Sequence, residues 1–199
     1  MKGRAVLPDW KAFAKKLLWL TVCAGLAACQ TPESAKRKLV SATFVNVDPS
    51  SQVRFASFDG NSVCSSSGDT CSVWLPEQWQ PGRRAIVKWT QDPSPERNAD
   101  GSKRPPYGPG GTTTRELDHW RDMHDNNRVL LALNVEVPRY ASPYDLELVF
   151  LPCKRVAVLI DAADIRRVMG NLPGGQEYEA EIRRRLGAAG DCQPPRVGE

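Results

Sequence analysis

The residues whose chemistry is most sharply specified lie near the amino terminus, in Leu26-Ala27-Ala28-Cys29. Small side chains before a thiol suit a two-step modification: diacylglycerol is joined to the sulfur, and the peptide bond before the cysteine is then cut. Lys2, Arg4, Lys11, Lys15 and Lys16 supply a positive flank, and residues 17–28 an apolar stretch. As a helix that stretch spans about 18 Å against roughly 30 Å of hydrocarbon, too short for a stable membrane span. Residues 1–28 therefore read as a bacterial lipoprotein signal peptide and Cys29 as the lipidation site. At about 0.8 kcal/mol per buried methylene, two or three acyl chains hold a protein at a bilayer durably. Gln30, where Asp would favour the inner membrane, leans towards the outer one. Residues 29–38 are polar and unpatterned, a lipidated tether with a reach of about 15–18 Å. The expected location is the bacterial cell envelope, facing the periplasm.

With Cys23 in the signal and Cys29 acylated, Cys64, Cys71, Cys153 and Cys192 remain, an even number in an oxidising compartment. Three connectivities are possible. Cys64 and Cys71 flank a Ser/Gly loop that closes easily, and a Cys153–Cys192 bridge would staple the tail to the body. Cys71 with Cys153 is the competing pairing. Zinc is disfavoured because no Cys-x-x-Cys or close Cys–His spacing occurs.

The sequence offers little to a catalytic mechanism. His119 and His124 are its two histidines; five residues apart on a helix, they project about 140° from each other and cannot share a metal. His-Glu-x-x-His and Gly-x-Ser-x-Gly are absent, and Gly108–Gly111 lacks the frame of a phosphate loop. Asp118, Asp122 and Asp125 share the short helix with both histidines and read as a solvated acidic face. Trp74, Trp79 and Trp89 read as core fillers, with Trp79 or Trp120 the alternatives for stacking on a sugar. No cofactor, no metal and no enzymatic activity are expected.

The elements that must position these residues are mainly strands. Residues 39–47 and 53–59 are β-rich and read as a hairpin; 71–75 and 85–90 follow, the latter in clean alternation. Residues 91–114 are rich in proline and glycine and read as a long exposed loop. Residues 115–125 read as a helix capped by Thr114, with Leu117, Trp120, Met123 and His124 on one face. Strand pattern returns at 128–137, with Val129, Leu131, Leu133, Val135 and Val137 on one side. Residues 146–151 and 156–160 form a second hairpin. Residues 161–169 and 176–189 are helix candidates, the last with acids before bases and the look of a solvated amphipathic tail. About seven short strands predict an antiparallel β-sandwich over residues 39–160, with one inserted helix and a helical C-terminal extension at 161–199.

Length and charge fit one such domain. The chain has 199 residues, 41% hydrophobic and 25% charged. Its net charge of +4 comes from the leader: beyond residue 28 there are 22 basic and 22 acidic side chains. That balance gives no reason to expect nucleic acid as a partner.

Cys71-Ser72-Val73-Trp74-Leu75-Pro76, Trp79-x-Pro81-Gly82, Val87-Lys88-Trp89, Val135-Glu136-Val137-Pro138-x-Tyr140 and Phe150-Leu151-Pro152-Cys153-Lys154-Arg155-Val156 together resemble the bacterial lipoprotein family catalogued as domain of unknown function 3304. The resemblance runs from about residue 39 to 160. Ser72 departs from it, standing where the family usually has a second cysteine; Cys64 and Cys192 are additional, and the 91–114 loop is longer. The resemblance implies an immunity-type role beside type VI secretion, neutralising a phospholipase-like effector. The expectation is a non-enzymatic module that binds a protein through Arg97, Lys103, Arg104 and Tyr107 of the long loop. The alternatives are an accessory lipoprotein of an envelope secretion complex, and a hydrolase or glycan-binding module.

Overall fold

The computed structural model describes residues 36–66, 68, 70–175 and 177–188. Residues 1–28, read from the sequence as a signal peptide, and Cys29 and Cys192 lie outside them. Eight strands are found among the described residues: β1 (Arg37–Asn46), β2 (Gln52–Phe58), β3 (Asn61–Ser65), β4 (Cys71–Pro76), β5 (Arg84–Asp92), β6 (Val129–Glu136), β7 (Leu146–Leu151) and β8 (Arg155–Leu159). Helix α1 (Arg115–Asp125) lies between β5 and β6, and α2 (Ala162–Met169) and α3 (Glu177–Arg185) follow β8. The first strand starts at Arg37, so the end of the expected tether is already paired, Arg37 with Pro76 and Lys38 with Leu75.

The mainly β class stands, but the sheet is mixed rather than wholly antiparallel. The strand order is β6-β5-β2-β3-β1-β7-β8, with β4 also paired to β1. β1 runs parallel to β7 and, at Thr43 and Phe44, parallel to β3. The two ends of the order, β6 and β8, come into contact and nearly close the sheet.

The expected hairpin between residues 39–47 and 53–59 does not form. β2 turns back instead onto β3 through Asp59 and Gly60, whose φ values of 48° and 81° make the left-handed turn that matches strand twist. The second expected hairpin does form: β7 and β8 pair antiparallel, and Cys153 and Lys154 both take positive φ at its turn. Cys64 and Cys71 are bridged, which excludes the Cys71–Cys153 alternative. Cys153 is itself disulfide-bonded.

Two cores result. In the first, Phe44 and Trp89 meet Phe150 with ring centroids 5.6 and 5.3 Å apart, joining the two halves of the sheet. Trp74, expected inside, is 54% exposed because it lies on the outward side of β4, between the buried Val73 and Leu75. The second core sits on the other side of β1 and β7. Val45, Val149 and Leu159 meet Val168 of α2 and Ile182 of α3 there. The last helix is therefore not a solvated tail.

Arg185 explains how α3 holds α2. Its guanidinium donates to the carbonyls of Arg167, Val168, Gly170 and Asn171, the unpaired end of α2, while Glu181 holds its Nε at 2.8 Å. A Cβ on Gly170 would lie 2.3 Å from the Arg166 carbonyl oxygen, so no other residue fits this exit. Arg185→Lys keeps the charge and loses the planar fork, and should lower stability in urea unfolding by about 1 kcal/mol.

Candidate functional site

The long loop is not a loose insertion. Arg97 and Lys103 pair backbone to backbone across a tight turn, Asn98 N–H donates to the Ser102 carbonyl at 2.9 Å, and Arg104 N–H to that of Glu96 at 3.1 Å. Gly101 (φ 84°) makes the turn possible. Hydrogen bonds from Ser102 hold the Asp100 carboxyl below its ordinary range.

The loop is fastened to α1 by a buried polar cluster. Thr114 caps the helix by accepting from Leu117 N–H, as the sequence indicates. Leu117, Trp120 and His124 are buried and His119 is exposed, while Met123 at the edge of the same face is 37% exposed. His124 Nε2 lies 2.8 Å from Asp92 Oδ2 and Nδ1 lies 2.7 Å from Asn98 Oδ1. Asn98 is oriented by its own Nδ2, which donates to the Trp120 carbonyl, so its oxygen must face the histidine. Both ring nitrogens are thus engaged by side-chain oxygens. Trp120 stacks on that ring at 4.3 Å and donates Nε1–H to the Ser102 carbonyl.

This cluster has the parts of an acid–base dyad but not its geometry. Neither nitrogen of His124 is left to take a proton from a substrate. Its evident work is to fix residues 92–102 against α1.

Beside the cluster is a cavity of about 340 Å³ whose lining includes Arg54, Arg104, Arg121, Arg128, Tyr107 and Asp125. Arg104 and Arg121 both donate Nη2–H to the Tyr107 hydroxyl, at 2.9 and 3.2 Å, and both guanidinium groups lie over its ring at 5.5–5.6 Å. Asp125 pairs with Arg128 at 2.6 Å. Arg54 reaches the cavity from β2 at a register shift between Val53 and Phe55, a bulge of the kind that re-aims a side chain.

The sequence-predicted contact residues Arg97, Lys103, Arg104 and Tyr107 are all exposed on this one fastened loop. Arg54, Arg121 and Arg128 were not among them, and only α1's helical spacing hinted that Arg121 follows the buried Trp120. Trp120 is 5% exposed, which removes it as a sugar platform, and Trp79 is half-buried with Arg139 at 5.9 Å over its ring.

The remaining signature residues converge at a separate corner. Trp79 Nε1–H donates to the Val137 carbonyl at 3.0 Å, and the buried Tyr140 hydroxyl to the Pro76 carbonyl at 2.9 Å. Burial raises the Tyr140 phenol against the opposing charge of Arg83. These contacts join the β4–β5 connection to the turn after β6. A family model described as "Protein of unknown function (DUF3304)" matches residues 36–158. The chain belongs to this family. The DUF3304 match spans β1 to most of β8, leaving α2 and α3 beyond it. No curated protein and no solved structure matches the chain. The signature residues Pro76, Trp79, Val137 and Tyr140 thus hold one corner together, while Trp89 and Phe150 join the two halves of the sheet in the core.

Proposed function

We propose that this DUF3304 chain is a lipid-anchored, non-enzymatic module of the bacterial envelope that binds a protein partner through the fastened loop. The supporting observation is preorganisation: Arg97, Lys103, Arg104 and Tyr107 stand exposed on a backbone already pinned by Asp92, Asn98 and His124. Ordering entropy is then spent in folding rather than at binding, and Tyr and Arg are the residue types that dominate binding energies. Leu26-Ala27-Ala28-Cys29 supplies the anchor in this reading. The partner is an antibacterial phospholipase-type effector, a role drawn from the family resemblance, and a periplasm-facing tether would concentrate the inhibitor at the bilayer where such an enzyme acts.

Three measurements test this. Cys29→Ser should abolish incorporation of labelled palmitate, and persistent labelling or an intact leader on a cytosolic product would overturn the anchor. A photo-crosslinking residue at Tyr107 should trap one soluble toxin from effector-challenged cells. The combined Arg97→Ala, Lys103→Ala and Tyr107→Ala variant should lose protection at least tenfold while still folding. Retained protection would remove the loop as the contact, and capture of membrane-complex subunits would favour an accessory lipoprotein instead.

A further inference from the structure

We infer that the arginine-lined cavity is a binding site for a phosphate group. The inference is independent of the protein partner, because it concerns the isolated chain and a small anion.

Four guanidinium groups from three separate parts of the chain converge on one space: Arg54 from the β2 bulge, Arg104 from the loop, and Arg121 and Arg128 from α1 and the turn after it. The carboxylate in the lining is that of Asp125, and it is engaged with Arg128. Arg121 reaches Asp118 at 3.6 Å with both side chains substantially exposed, a weak pairing in water. Among the described residues, Arg54 and Arg104 have no carboxylate within ion-pair distance. Arg104 and Arg121 instead share a neutral acceptor, the Tyr107 hydroxyl, so their terminal nitrogens lie within about 6 Å of each other. Two like charges held that close repel, and a phenol does not neutralise them. An anion would.

The donor count favours phosphate over carboxylate. A carboxylate presents two oxygens to at most four donors, whereas inorganic phosphate or a monoester presents three or more terminal oxygens and up to two charges, and a diester two terminal oxygens with two ester oxygens beside them. Planar guanidinium forks match phosphate edges bidentately. One further detail agrees: Arg128 Nε is buried with no partner, although its Nη2 is paired to Asp125. The cavity of about 340 Å³ is roomy enough for a phosphate carrying a small organic substituent.

The phosphate could arrive free or on a lipid headgroup, and the test separates these. Full-length chain in a neutral detergent is titrated by calorimetry with inorganic phosphate, with glycerophosphoglycerol as a soluble phosphodiester headgroup, and with acetate, all at matched ionic strength. Saturable one-to-one binding of at least one phosphate compound, at least tenfold tighter than acetate, is expected. Tighter binding of inorganic phosphate assigns a free phosphate or monoester, and tighter binding of the diester a lipid headgroup. Arg104→Gln with Arg121→Gln should weaken the preferred ligand at least tenfold. Arg54→Gln does not touch Tyr107 and should weaken it several-fold while leaving the thermal midpoint of the free chain in place. The inference fails if acetate binds equally, if no phosphate compound binds, or if folded Arg54→Gln and the double variant bind as the parent does. None of these results bears on whether the loop binds a protein.

Discussion

His124→Ala should cost about 3–5 kcal/mol in urea unfolding and release the long loop to protease. The loss exceeds that of a typical polar contact because of what is left behind. Asp92 is fully buried, and without the imidazole it keeps a hydrogen bond from Ser94 N–H at 3.2 Å. A desolvated carboxylate in that position is penalised far more than a solvated one. Asn98 Oδ1 loses its 2.7 Å partner at the same time, keeping only a long contact to Asn127 at 3.4 Å, and Trp120 loses the ring stacked on it. Trypsin should then cut after Arg97 or Lys103 at least tenfold faster than in the parent, since both residues sit on the segment the cluster pins. Asp92→Ala should give a similar loss, and the two changes together much less than their sum, because each alone already dismantles the pair. Near-additive losses, or an unaltered digestion rate, would mean that the loop is held by its own backbone pairs instead.

Local pattern in the sequence reaches as far as local physics does. Helix α1 is legible from Thr114 to Asp125 because its cap, its apolar face and its ends are all written within one short stretch. β5 and the β7–β8 hairpin are legible for the same reason: alternation, and a tight turn between two apolar runs. The pairing of β1 is not. Its neighbours are β7, about a hundred residues away, β4, and the short polar β3, whose Asn61-Ser62-Val63-Cys64-Ser65 carries almost no strand signal. Proximity in sequence suggested β2, and the turn at Asp59-Gly60 sends β2 elsewhere.

The candidate site divides in the same way. Arg104 and Tyr107 stand close together in an exposed loop and were readable as contacts. Arg54 joins them only because a bulge in a distant strand points it there, and Asp92, Asn98 and His124 meet only after the loop closes on the helix. Proline and glycine density correctly marked residues 93–114 as lying outside the sheet, but the expected loop began two residues too early, since Gln91 and Asp92 pair within it as the end of β5. It carried no information about the two buried side chains, Asp92 and Asn98, that make the segment rigid.

Replacing Thr43 and Glu147 together by Val and Leu should stabilise the protein by about 1–3 kcal/mol at pH 7.5, and by less as the pH is lowered towards 4.5. The two residues face each other across the parallel β1–β7 pair, where Thr43 Oγ1 donates to Glu147 Oε2. Glu147 Oε1 is buried with no partner, on the side of β7 that also carries Val149 and Leu151 of the second core. Burial raises the Glu147 carboxyl above its ordinary value; the Thr43 hydrogen bond opposes this and the Asp145 charge adds to it. Tyr178 of α3 is raised by burial as well, and then by the charges of Glu147 and Glu179. A carboxyl whose folded value is raised keeps its proton after the unfolded chain has lost it. Its contribution to stability is therefore undiminished below about pH 4.5 and declines as pH rises through the folded value. Removing the group removes that decline, so the advantage of the double variant must grow with pH. Thr43→Val alone should be destabilising at pH 7.5, since it strips the carboxylate of its one donor. Urea unfolding at several pH values between 4.5 and 7.5 reads both effects. A double variant whose advantage does not change with pH would mean that Glu147 is as well solvated in the folded chain as in the unfolded one.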